Sequence, residues 1–178
     1  MGPKEWGRFG RDVLKFVELF KGNIKKIPKL SSDERVVVLV GGYPGSGREK
    51  FCQALAAKSG WQVLAEEENI KDRLPQLLQE NSKLVINTEN LTTNQRKIWL
   101  DECMTWGVLK IDCVFFDIPK DICQQAVPQG VWTSGQLQEM FQTKLYKPRE
   151  SDYRHLYIIK EENKNQQVQD ILKSYSEV

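Results

Sequence analysis

A single histidine, His155, and four cysteines that nowhere form a C-x-x-C pair leave little with which to ligate a metal. Cys52, Cys103, Cys113 and Cys123 are expected to be buried, reduced thiols, and no metal site is predicted. No apolar run approaches the ~20 residues needed to span a bilayer, so no membrane partner is expected. Charges interrupt the first residues throughout, unlike a secretory signal, and an intracellular protein is the expectation. Charge of one sign is also missing. The 26 Lys and Arg stand against 24 Asp and Glu, and a net +2 does not by itself argue for nucleic acid. No internal repeat or low-complexity tract interrupts the chain.

What is present is a globular composition, 178 residues with 40% hydrophobic and 28% charged, enough for one domain with a real core. Residues 1–30 are predicted to form a basic N-terminal helix and connector, and residues 31–178 the folded domain. Within the first segment, Val13, Leu14, Phe16, Val17 and Phe20 fall broadly on one side of a helix. That face either packs on its own domain or docks a partner, with Phe16 and Phe20 as candidate partner contacts. Lys25, Lys26 and Lys29 are candidate nucleic-acid contacts, although a loose charge run is equally a solvated surface.

From Arg35 onward the pattern alternates. Strands are expected at Arg35–Val40, Trp61–Leu64, Lys83–Asn87, Ile111–Asp117 and Leu156–Ile159. Helices are expected at Lys50–Lys58, Asn69–Glu80, Thr93–Trp106, Asp121–Gln125, Gly135–Tyr146 and Asn165–Tyr175. Leu74, Leu77 and Leu78 should point inward, and Pro75 is tolerable only near its helix's first turn. Trp61, Trp99 and Trp106 read as core. The alternation implies an α/β fold, a mostly parallel sheet in a three-layer αβα arrangement.

The most informative stretch is Gly42-Tyr43-Pro44-Gly45-Ser46-Gly47-Arg48-Glu49, set between the first strand and the first helix. This is the context in which G-x-x-x-x-G-K-S/T forms a phosphate-binding loop. Gly42, Gly45, Ser46 and Gly47 keep the tight turn whose amides cradle phosphates. The lysine position holds Arg48, which keeps the charge with a different reach. The hydroxyl position, which normally helps hold magnesium, holds Glu49. Two like unit charges ~4 Å apart repel by roughly 4 kcal/mol at an effective dielectric of 20. The loop therefore reads as degenerate.

Three segments in order carry a resemblance: Val36 to Gly47, Leu84-Val85-Ile86-Asn87-Thr88-Glu89-Asn90-Leu91, and Val114-Phe115-Phe116-Asp117-Ile118-Pro119. With them the chain resembles the P-loop kinase domain of the polynucleotide 5′-kinase family, over about residues 33–160. The resemblance implies that activity has been lost. The family's general-base aspartate, in an Arg-Asp pair after strand two, is met by Glu66 and Glu67. In the family's Asp-Asn-Thr-Asn stretch, Asn87 replaces the aspartate, Thr88 the asparagine and Glu89 the threonine. Asn90 is retained, and Arg96 matches an arginine downstream. The family's lid arginines have no counterpart in residues 121–132. The Asp-x-Asp-Gly-Thr phosphatase signature of bifunctional relatives is absent from the sequence.

The expectation is a catalytically inactive, non-enzymatic kinase-like domain acting as a protein-interaction or scaffold module, with no cofactor. Another protein is the expected partner, and Trp132, in the old lid space, is a further candidate contact. One alternative is nucleic-acid binding without phosphoryl transfer, in which Arg96 would join the lysines. The other is an active 5′-hydroxyl polynucleotide kinase, and only that reading requires ATP and Mg2+. A nuclear setting is implied by the resemblance alone.

Overall fold

Val36 to Gly42 contains no charged side chain, and the strand it forms, β1, is buried along all seven residues. A strand with apolar side chains on both faces needs a cover on each, and both are supplied. The computed structural model describes residues 35–58, 60–65 and 70–176. The segment 1–30, with Phe16, Phe20, Lys25, Lys26 and Lys29, lies outside the described residues, as do Glu66 and Glu67.

The remaining strands are β2 (Trp61–Ala65), β3 (Lys83–Asn87), β4 (Lys110–Asp117) and β5 (Leu156–Lys160). All pair in parallel, in the order β2-β3-β1-β4-β5. The helices are α1 (Arg48–Ala56), α2 (Ile70–Glu80), α3 (Thr93–Thr105), α4 (Lys120–Ala126), α5 (Ser134–Gln142) and α6 (Lys164–Ser176). Val36, Val38 and Val40 face Phe51, Cys52 and Leu55 of α1 and Ile171, Leu172 and Tyr175 of α6. Val37 and Leu39 face Leu74, Leu77 and Leu78 of α2 and Trp99 and Cys103 of α3. The period-two alternation of one strand thus assigns helices to two layers. The αβα architecture is as the sequence implies.

Three details differ from the expected pattern. Pro75 lies inside α2, beyond its first turn. Trp106 is only half-buried. Helix α5 stops at Gln142, four residues early, because tertiary bonds take over its end. Tyr43 Oη donates to the Thr143 carbonyl at 2.8 Å, and the Tyr146 amide donates to the Leu91 carbonyl at 2.8 Å. All four cysteines are buried and free. No helix among the described residues is long and apolar enough to cross a membrane.

In a parallel sheet the strand carboxyl ends share one edge, where ligands of open α/β folds bind. The Gly42–Gly47 turn, the β3–α3 connection and Asp117 all lie at that edge.

Candidate phosphate-binding cleft

The turn leaving β1 is built on positive backbone angles: φ is 143° at Gly42, 81° at Gly45 and 101° at Gly47. At Gly45 space is closed as well. A Cβ there would stand 2.2 Å from the Cys123 carbonyl oxygen, so the turn is pressed against α4. Gly47 caps α1 in the left-handed conformation, with no side-chain hydrogen bond. The first amides of α1 therefore lack a cap, and a helix N-terminus carries roughly half a positive charge.

Arg48 opens that helix and is 3% exposed. Its Nη2 donates to Glu49 Oε1 at 3.0 Å, while Nε and Nη1 have no partner among the described residues. Ser46 Oγ, equally buried, has none either. Buried guanidinium nitrogens without acceptors are costly, by about 1–3 kcal/mol each. An anion at the turn would satisfy them. Glu49 is less deeply placed, with 27% of its side chain exposed.

Arg48 and Glu49 form one end of a cleft of about 880 Å³ whose floor includes Ala65, Asn87 and Glu89, at the carboxyl ends of β2 and β3. Gln95 of α3 forms one wall. Val131, Trp132 and the α5 residues Gln136, Glu139 and Met140 form the other, with Thr143. Each wall begins at a capping box. Thr92 Oγ1 accepts from the Gln95 amide at 3.1 Å while Gln95 Oε1 accepts from the Thr92 amide. Thr133 and Gln136 repeat the arrangement at α5. Both glutamines are thereby fixed, and Gln95 Nε2 reaches Glu89 Oε2 at 3.4 Å.

Of the residues singled out from sequence, the structure brings Arg48, Glu49, Asn87, Glu89 and Trp132 together at this cleft. Asn90 and Arg96 lie behind it. Asn90, at a left-handed φ of 47°, donates through Nδ2 to the Val40 carbonyl at 2.8 Å and so ties the end of β1 to the loop after β3. Arg96 is 3% exposed, donates to the Asn90 carbonyl at 2.8 Å and lies 5.3 Å from the Phe115 ring centroid. Burial holds its pKa below the usual arginine value. Glu66 and Glu67, which follow the cleft residue Ala65, lie outside the described residues. At the end of β4, Asp117 is engaged by Lys147 at 3.3 Å and by Lys160. Burial opposes ionisation of Asp117, but hydrogen bonds from Lys160 and Lys147 hold its pKa below the usual value.

Sequence reasoning missed Gln95, Gln136, Glu139 and Met140. A readable signal existed for two of them, because T-x-x-Q at 92–95 and at 133–136 is a capping-box pattern.

No protein-family model matches this chain, and no curated protein matches it. Solved structures do. A sugar kinase from Janibacter sp. HTCC2649 superposes with a TM-score of 0.57 at 15% identity, over 78% of this chain and 93% of that one. The APS kinase of Mycobacterium tuberculosis, in complex with AMPPNP and APS, gives 0.58 at 13% identity, over 78% and 96%. Kti12 of Chaetomium thermophilum, in complex with ADP-AlF3, gives 0.57 at 9% identity, again over 78% and 96%. The fold is that of the P-loop kinases. These identities establish architecture and do not single out the polynucleotide kinases.

The expectation of a non-enzyme is corrected by these likenesses. A sugar kinase and an APS kinase share the P-loop kinase fold with this chain, so the fold is one that enzymes carry and lends no support to a non-enzyme. The physical reason lies in the loop. Sequence alone sets the Glu49 charge against the phosphates before any ion pairing, whereas in the structure Glu49 is paired with Arg48, whose Nε and Nη1 have no acceptor among the described residues.

Proposed function

We propose that the chain is a kinase domain of the P-loop class. It binds the phosphates of a nucleoside triphosphate at the Gly42–Gly47 turn and passes one phosphoryl group to a hydroxyl acceptor in the adjoining cleft. The observation that carries this reading is Arg48, buried at the start of α1 with Nε and Nη1 lacking acceptors among the described residues. Phosphoryl transfer rests on positioning and on positive charge around the moving group, which a guanidinium and a helix N-terminus supply. The APS kinase structure carries AMPPNP and APS and the Kti12 structure carries ADP-AlF3, and nucleotide binding by proteins of this fold supports the reading.

An incoming phosphate replaces the Glu49 carboxylate on Arg48. Among the described residues no cluster of three metal-binding side chains exists, but Mg2+ at a nucleotide needs only one or two carboxylates besides phosphate oxygens. Glu49, a hard-oxygen ligand at the turn, fits that requirement, and the ion would neutralise phosphate charge. Glu89, a cleft-lining carboxylate that accepts from Gln95 Nε2, is assigned the role of taking the acceptor hydroxyl's proton. The sequence resemblance offers a polynucleotide 5′-hydroxyl as acceptor, and with it a nuclear setting.

Calorimetry with ATP and Mg2+ tests the reading. Binding should be measurable in the native chain, fall at least tenfold in Arg48→Ala and recover in part in Arg48→Lys. A native chain that is folded and releases no heat overturns it.

A further inference from the structure

The cleft is chemically divided, and the division bears on what sits opposite the phosphates. One pole is the α1 start, uncapped and backed by Arg48. At the other pole the N-termini of α3 and α5 carry capping boxes. Each box occupies the N-cap and N3 amides of its helix start, and its glutamine, Gln95 or Gln136, lines the cleft. Arg48 is the one cation among the described residues lining the cleft, and Glu49 already holds one of its nitrogens. Glu89 and Glu139 add negative charge on the acceptor side. Trp132, half-buried, lines this cleft together with Met140.

Resting on the kinase reading, we propose that the acceptor is a small polyhydroxylated compound without anionic groups, neutral or amine-bearing, and that the pole of Trp132, Gln136 and Glu139 selects it. Carboxylates accept from hydroxyl and ammonium groups, and carboxamides both donate and accept. An aromatic face covers the C–H face of a ring while polar groups fix its orientation. A phosphodiester backbone would bring like charge against Glu89 and Glu139, with no lysine or arginine other than Arg48 among the described lining residues to meet it. This departs from the polynucleotide acceptor that the sequence suggests.

The test is calorimetry on the full chain in the presence of AMPPNP and Mg2+, titrating D-glucosamine, adenosine and a 5′-hydroxyl decathymidylate. Glucosamine or adenosine should bind at least tenfold more tightly than the oligonucleotide. That binding should weaken tenfold or more in Trp132→Ala, with unchanged thermal unfolding. Glu139→Lys should shift preference toward the oligonucleotide by a similar factor. An oligonucleotide that binds as well as or better than both small acceptors overturns the proposal, as does AMPPNP binding with no acceptor bound at all. Failure of AMPPNP itself to bind removes the kinase reading, and the acceptor proposal with it.

Discussion

Gly45 shows how one residue joins the turn to the rest of the molecule. Its φ of 81° lies where a side chain is strained, and a Cβ would meet the Cys123 carbonyl oxygen at 2.2 Å. Backbone oxygen cannot swing aside as a side-chain tip can, so α4 or the turn must move. Gly45→Ala should destabilise the fold by about 2 kcal/mol or more, from left-handed strain plus overpacking. Urea denaturation reads this directly, and an unchanged midpoint would contradict the observed packing. The glycines were legible in the sequence because their spacing is a backbone requirement. The Arg48–Glu49 pairing was not. Neighbouring residues of opposite charge meet or diverge according to the helix start they share, and spacing alone does not say which. Asn90 and Arg96 were visible as motif residues, yet their carbonyl and ring contacts with Val40 and Phe115 are tertiary.

At the scale of elements, β4 carries a feature that its apolar pattern conceals. Asp112 is wholly buried within a strand that reads as continuous core. Arg154 Nε and Nη2 donate to its two oxygens at 2.9 and 2.7 Å, the His155 amide donates at 3.2 Å, and Tyr175 Oη donates at 2.7 Å. This network ties α6 and the start of β5 to β4. Removing one partner leaves a buried charge poorly compensated, so Arg154→Ala should cost about 3–5 kcal/mol. Tyr175→Phe, which removes one bond to a charged group, should cost about 1.5–3 kcal/mol. Urea unfolding of both variants checks the order, and equal losses would argue against Arg154 as the main partner. Strands and helices themselves were legible because hydrophobic period follows from backbone geometry. The early end of α5 was not, since bonds from Tyr43 and Tyr146 set it from across the chain. Without that end, the cleft wall of Gln136, Glu139 and Met140 has no place in a sequence-based reading.

For the molecule as a whole, burial of neutral acids sets a limit on the alkaline side. Desolvation pushes the thiols of Cys52, Cys103 and Cys113 up to about 12 from 9.0. Tyr175 is raised as well, by burial and then by the Asp112 charge. The unfolded chain releases these thiol protons near pH 9, while the folded chain retains them. Stability from this source is therefore complete below pH 9 and is lost as the solution is made more alkaline, toward the folded values near 12. Each thiol contributes a decline of about 1.4 kcal/mol per pH unit in that window. Unfolding free energies from urea titrations at pH 8, 9.5 and 10.5 should fall steeply over the last two, by about 2 kcal/mol per thiol at pH 10.5. Replacing Cys103 with Ala should flatten the slope by one thiol's share even though the variant starts less stable. A midpoint independent of pH up to 10.5 would mean that the sheet does not shield these thiols from water as its burial on both faces requires.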